Sequence, residues 1–385
     1  MRDGRLSEAA EEREPLLGRP DLAYPCGEAP APGEAREIAP GVHWLRMPMG
    51  GSLDHINVWA LEDGDGWTVV DSGLQTRETA GHWRTALAGP LGGRPVTRVM
   101  ATHMHPDHIG LAGWLARKHQ VRLWMTRLEY ISCRMLVADT GREAPEDGVR
   151  FYQACGWDEE AIERYRIRFG GFGKMIHALP DSYRRLEDGE RIDIGGRPWR
   201  VVVGNGHSPE HACLWREDDG VLISGDQVLP RISSNVSVHP TEPDADPLTD
   251  WLTSLARLKA TVPDSVLVLP SHGEPFRGLH ARLDHLIAGH ERSLRRLQKR
   301  LAEPKRAIDV FGALFGRAIG PDLLGMATGE SLAHLNCLRA RGIAACAPDS
   351  EGVLWWRALA AAPSGDEAGP PAGGPDLRPT DAAPC

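Results

Sequence analysis

The 385-residue sequence contains no C-x-x-C pair: its seven cysteines stand singly at 26, 133, 155, 213, 337, 346 and 385. An odd, scattered set argues against a disulfide framework and makes a reducing compartment, the cytoplasm, the expected location. No run of 18 apolar residues occurs, so no membrane span is expected. Met1 to Leu17 is polar and charged, without the apolar stretch of a signal peptide. Basic charge is not in excess: 44 Lys and Arg face 53 Asp and Glu, a formal net charge of −9. That balance disfavours nucleic acid as the main partner, while leaving room for a local basic patch. No internal repeat is visible.

What the sequence does have is length for a full core and a second, smaller domain, with an ordinary 41% of apolar and 25% of charged residues. Residues 1–36, rich in Glu, Arg, Pro and Ala, read as a flexible extension, and 363–385, rich in Pro and Gly, as a disordered tail. Between 37 and 278 strand and helix patterns alternate. Strands are expected at 43–47, 55–61, 67–70, 96–100, 121–125, 199–203, 212–215, 221–223 and 266–269, with helices at 79–88 and 111–118. The alternation predicts stacked α and β layers. An insertion at 127–185 is helical and irregular, and its Phe169-Gly170-Gly171-Phe172-Gly173-Lys174 run suits a substrate lid or a plain structural insertion equally. Over 279–362 a long helix (279–301), two further helices (308–315 and 331–341) and a hairpin (343–346 with 353–357) predict a small α+β, winged-helix-like domain. The long helix carries Arg282, Arg292, Arg295, Arg296, Lys299 and Arg300, a basic face that suits solvent better than nucleic acid in so acidic a chain.

The densest chemistry is Thr102-His103-Met104-His105-Pro106-Asp107-His108-Ile109-Gly110, just after the strand at 96–100. Packing has no use for three imidazoles and a carboxylate in six positions; holding cations does. Three more candidates follow strand ends: His207 in Gly204-Asn205-Gly206-His207, Asp226 in Ser224-Gly225-Asp226, and His272 in Pro270-Ser271-His272-Gly273. Strand ends are where layered α/β folds place reactive groups, and the adjoining glycines permit the tight turns that aim them. Five imidazoles and two carboxylates fill two sites if one carboxylate bridges. The expected division is His103, His105 and His207 on one metal, Asp107, His108 and His272 on the other, and Asp226 between. This donor set suits two divalent ions, Zn²⁺ ahead of Fe or Mn, sharing a hydroxide that is nucleophilic at neutral pH. Arg231, Asn235 and His239 follow Asp226 closely and either anchor an anionic substrate group or are ordinary loop residues. His211 reads as a hydrogen-bond partner and Cys213 as core.

These motifs resemble those of the metallo-β-lactamase superfamily, in its glyoxalase II-like branch, over residues 38–278. The resemblance implies an αββα four-layer sandwich with the metals at one edge of the sheets. It also implies that Asp71, in Val70-Asp71-Ser72-Gly73, is a buried aspartate supporting a ligand, with turn capping as the alternative. Classical zinc β-lactamases carry Cys or Ser where Asp226 stands; an aspartate there resembles thioester hydrolases, lactonases, nucleases and phosphodiesterases. A winged helix after this fold resembles a group containing glyoxalase-like hydrolases and β-lactamase-like endoribonucleases. The expected function is therefore metal-dependent hydrolysis of a thioester or ester joining a small acyl group to a larger carrier, with Asp107 relaying a proton. The alternatives are an endoribonuclease or phosphodiesterase holding RNA on the winged helix, and a non-catalytic nucleic-acid-binding protein. The carrier and the assembly state, a homodimer included, are left open.

Overall fold

In the computed structural model, which describes residues 20–51 and 53–359, twelve strands build two sheets. The first holds β1 (Arg36–Ala39), β2 (Val42–Pro48), β3 (His55–Asp63), β4 (Gly66–Val70), β5 (Val96–Met100), β6 (Leu123–Met125) and β7 (Tyr183–Arg185), side by side in chain order. β1 to β4 are antiparallel and β4 to β7 parallel. The second sheet holds β8 (Arg191–Ile194), β9 (Arg197–Gly204), β10 (His211–Arg216), β11 (Val221–Gly225) and β12 (Leu267–Pro270), antiparallel except for the β11–β12 pair.

The sheets meet through Trp44, Trp59, Leu61, Val70 and Met100 on one side and Trp199, Val201, Leu214, Ile223 and Leu269 on the other. In β3 the alternate residues Ile56, Val58 and Ala60 face the opposite way, against α1 (Arg77–Ala88) and α3 (Ala112–His119). Burial on both faces favours apolar residues, and in 55–61 only His55 and Asn57 interrupt the apolar run. Between these helices lies the single-turn α2 (Pro106–Ile109), and α4 (Arg127–Ala138), α5 (Glu146–Ala154) and α6 (Glu159–Arg168) make up the insertion. On the far side, α7 (Pro247–Thr261) and α8 (Leu279–Arg300) cover the second sheet, with Trp251, Leu255 and Leu283 against Cys213, Leu222 and Val268. The result is the four-layer α/β/β/α sandwich.

After α8 come a short 3-10 turn (Ala307–Val310), α9 (Phe311–Leu314), α10 (Leu324–Ala340) and an antiparallel hairpin of β13 (Ala344–Pro348) and β14 (Leu354–Ala358). Leu294, Leu297, Leu335, Leu338 and Trp356 join the same hydrophobic cluster as the α7 residues, so this unit shares its core with the sandwich. The insertion rests on it too: Trp157 Nε1 donates to Thr328 Oγ1 at 3.0 Å and Arg168 pairs with Asp322 at 2.6 Å.

Of the expected N-terminal extension, residues 1–19 lie outside the described residues, as do 360–385 with the expected tail. The described part, 20–36, is held in place: Ala23 bridges Arg277 through its backbone, and the Arg36 guanidinium donates to the Cys26 carbonyl. Four elements go beyond the sequence expectation. The strands β1, β7 and β8 are only 3–4 residues long and half-exposed, too short to show a period. Helix α7 is the larger omission. It has a sound start signal, Asp246 capping Thr249 N at 3.1 Å with Pro247 in the first turn, and buried Leu248, Trp251, Leu255 and Leu258 at helical spacing.

Candidate metal centre

The centre is assembled where β4, β5, β9, β11 and β12 run out. At the end of β4, Asp71 takes the left-handed conformation (φ +62°), one of only two non-glycine residues to do so among those described. Its backbone N–H donates to Met100 O at 2.9 Å, while its buried carboxylate accepts from Thr102 N, Thr102 Oγ1 and His108 Nδ1, each at 2.8 Å. Strain of this kind persists where the surroundings over-determine it. Here one carboxylate fixes both the start of the histidine run and the ring of His108.

Three more imidazoles are held by their outer nitrogens. His207 Nδ1 donates to Asn235 O at 2.7 Å, His272 Nδ1 donates to His55 O at 2.8 Å, and His103 Nδ1 lies 3.0 Å from Thr102 Oγ1. Anchoring Nδ1 leaves Nε2 to point inward, which is how a protein sets a tautomer for metal binding. Inside, His103 Nε2 is 2.9 Å from His105 Nδ1 and 3.3 Å from His207 Nε2. Asp107 Oδ2 is 3.4 Å from His108 Nε2 and 3.3 Å from His272 Nε2. Asp226 stands between the two triads, Oδ2 3.5 Å from both His207 Nε2 and His108 Nε2, and Oδ1 3.5 Å from His272 Nε2.

These spacings suit metal ions. A tetrahedral ion with bonds of roughly 2.0–2.1 Å sets its ligand atoms roughly 3.3 Å apart. His108 Nε2 and Asp226 Oδ1 are also buried without a hydrogen-bond partner among the described residues, the state expected of atoms reserved for a cation. Three donor groups are close enough to hold one: His103 with His105 and His207, His103 with His108 and Asp226, and Asp107 with His108 and His272.

The electrostatics agree. Burial, then the neighbouring imidazoles, hold His103 well below its ordinary value, and burial with His207 takes His105 down to about 3, so both are neutral donors. Burial opposes charge on His108 and His272 as well, but the carboxylates win. Asp107, Asp226 and Asp71 hold His108 above its ordinary value, and Asp226 with Asp107 raises His272 to about 10. Conversely His108 keeps Asp107 and Asp226 ionised, well below the usual carboxylate range, against the cost of their burial. The pocket is thus a buried negative potential that positive charge must balance.

The three loop residues read either as substrate anchors or as ordinary loop lie as follows. Asn235 orients His207 through its carbonyl, and its Nδ2 donates to Glu330 Oε2 at 2.8 Å. Arg231 forks onto Glu274 at 3.0 Å over the Tyr24 ring, and burial, then His207, holds the His239 imidazole below its ordinary value although the residue keeps exposed surface. His211 is a hydrogen-bond partner: its Nε2 accepts from Asp226 N at 3.0 Å.

Several supports escaped the sequence reading. Buried Glu129, in the first turn of α4, accepts from Met104 N at 2.9 Å and Glu210 N at 2.8 Å, tying the histidine run to the loop after His207. Asn57 donates to Pro270 O and Gly273 O at 2.9 and 2.8 Å, pinning the turn that carries His272. Gly206 has φ +103°, and a Cβ there would come within 2.5 Å of Trp251 Cβ, so the His207 turn requires glycine.

The Metallo-beta-lactamase superfamily model matches residues 51–272, and the Metallo-beta-lactamase-like C-terminal domain model matches 294–359. A crystal structure of a beta-lactamase domain protein from Burkholderia ambifaria is 42% identical with a TM-score of 0.81, covering 88% of this chain and 98% of that one. A probable metallo-hydrolase from Bacillus subtilis is 28% identical over 306 residues, 77% of this chain and 91% of its own length. An acyl-coenzyme A thioesterase from Gallus gallus is 26% identical over 249 residues, 63% of this chain and 80% of its own length. Matched over more than half its length, with His and Asp clusters at the strand ends of the matched region, the chain belongs to the metallo-beta-lactamase superfamily as a metallo-hydrolase.

Proposed function

We propose that the protein is a dinuclear, zinc-dependent thioesterase that releases a small acyl group from a larger thiol carrier. The observation that carries the reading is the placement of Asp226 between two donor triads, one carboxylate oxygen facing His272 and the other facing His207 and His108. On this reading His103, His105 and His207 would hold one ion and Asp107, His108 and His272 the other, with Asp226 within reach of both groups. Ions bound there supply Lewis-acid polarisation of a carbonyl and an acidified water near neutral pH.

The side chains do the rest. Asp71, Asn235 and His55 accept from the outer nitrogens of His108, His207 and His272, so the inward nitrogens are the ones a cation would take, displacing any proton there. Asp107, whose side chain is 16% exposed against 10% for Asp226 and none for His108, is the carboxylate best placed to pass a proton to solvent or product. Glu129 cannot act as a further acid towards substrate, because both its oxygens face backbone amides. A leaving group that needs little protonation suits this arrangement, and a thiol with a pKa of about 8.5 leaves more readily than an alcohol. The acyl-coenzyme A thioesterase from Gallus gallus supports the same choice, and an aspartate at 226 fits a glyoxalase II-like branch.

Metal analysis of purified protein is expected to find about two ions per chain. A panel of acyl thioesters run beside single-stranded RNA is expected to show thioester hydrolysis, lost in His103→Ala. RNA cleavage abolished by His103→Ala, with no thioester hydrolysed, would overturn the proposal in favour of a nuclease.

A further inference from the structure

Beside the segments that support the metal centre lies a cavity of about 290 Å³, between the loop after β11 and the helices α8 and α10. Its walls carry four guanidinium groups, Arg231, Arg282, Arg292 and Arg296, against one carboxylate, Glu330. Three of the four have no carboxylate partner among the described residues. Arg282 is only 3% exposed, and its head donates to Leu229 O and Ile232 O at 2.6 and 2.7 Å, with no carboxylate paired to it among the described residues. Arg292 reaches the cavity from the next turns of α8 and has neither hydrogen bond nor ion pair among the described residues. Among the described residues Arg296 donates to Ala313 O and Ser293 Oγ, each at 3.1 Å, while Arg231 is neutralised by Glu274.

A nearly buried guanidinium without a carboxylate is costly, and a fold that keeps one beside a second unpaired arginine is prepared for an anion from outside. Guanidinium forks match phosphate oxygens in particular. Burial raises Glu330 to about 7, so near neutral pH the one carboxylate in the wall opposes an anion only in part. The volume sits at the lower end of the range for ligand pockets, which suits a polar fragment of a substrate. The cavity is also joined to the catalytic residues. Ser233 in its wall precedes Ser234, whose hydroxyl donates to Asp226 O at 2.5 Å, and Glu330 accepts from Asn235, which orients His207.

We propose that this cavity is the phosphate subsite for the carrier half of the substrate: the thiol carrier is a small molecule bearing a phosphate or diphosphate, of the coenzyme A kind, with its thioester at the metal centre and its phosphates among Arg282, Arg292 and Arg296. The proposal rests on the thioesterase reading for its substrate but not for its anion. Two measurements separate them. In the first, one acyl group is offered on coenzyme A, on phosphopantetheine and on phosphate-free N-acetylcysteamine. Arg292→Ala is expected to lower kcat/KM on the phosphorylated thioesters by about tenfold, chiefly through KM, and to change the phosphate-free one by less than about twofold; Arg292→Lys recovers part of the loss. A loss confined to coenzyme A assigns the site to its nucleotide phosphates, and a loss shared with phosphopantetheine assigns it to the phosphate nearer the thiol.

The second measurement needs no turnover. Calorimetric titration with adenosine 3′,5′-bisphosphate is expected to show binding in wild type and in His103→Ala, and none in Arg292→Ala. No binding to wild type, or equal losses on all three thioesters, overturns the proposal. Bisphosphate binding together with no thioester hydrolysis overturns the thioesterase reading alone.

Discussion

Glu330 projects from α10 into the wall of the arginine-lined cavity, where its Oε2 accepts from Asn235 Nδ2 at 2.8 Å. Burial raises its carboxyl from 4.5 to about 7, only partly offset by that hydrogen bond. A raised folded-state value means that between these two pH values the folded chain binds more proton than the unfolded one. Stability from this group is therefore fully present below about 4.5 and is lost as pH rises through about 7, after which it levels off. At about 1.4 kcal/mol per pH unit the loss amounts to about 3 kcal/mol. Glu330→Gln keeps the shape and the accepting oxygen but removes the charge. The variant is expected to match wild type near pH 5 and to exceed it by up to about 3 kcal/mol at pH 8. Urea unfolding of both metal-loaded proteins across that range measures this, because every other titration, the metal ligands included, cancels in the difference. A difference that does not change with pH would refute the reasoning, showing that water reaches the carboxylate and leaves it ionised.

Asp71→Asn takes an accepting oxygen away from Thr102 and His108 and is expected to weaken metal binding about 10–100-fold, read by competition with a chelator. Chelation itself is expected to lower the melting temperature. The carboxylates then draw protons onto His108 and His272, whose raised values stabilise the metal-free fold below about 6.5 and cease to do so as pH climbs through about 10, so the stripped protein loses stability over that interval. Trp251→Ala empties a fully buried site beneath His207, whose ring lies 6.4 Å away, and is expected to cost about 3–5 kcal/mol in urea unfolding, with metal affinity falling in parallel.

The chemistry of the centre was written locally. Four donors within 103–108 and three more at strand ends are dictated by short spacing, and β5 occupies the very residues, Val96 to Met100, that its apolar pattern predicts. The alternation of strand and helix likewise determined the layers, since a strand buried on both faces favours apolar residues. Helix α7 was legible from its cap and period and was simply passed over. Glu129, Asn57 and Glu330 were not legible at all: each is an ordinary polar residue in its own segment, and its role depends on a partner elsewhere, as with Asn57 and Gly273, 216 positions apart. The same holds for the convergence of the centre. His103 and His207 are 104 positions apart, and His272 is anchored by His55 across 217. Local sequence determined which atoms are able to bind metal, because that depends on residue type. Only the packing of two sheets decided which of them meet, what holds their outer nitrogens, and that arginines from α8 gather beside them, because contact between distant segments is a property of the folded chain.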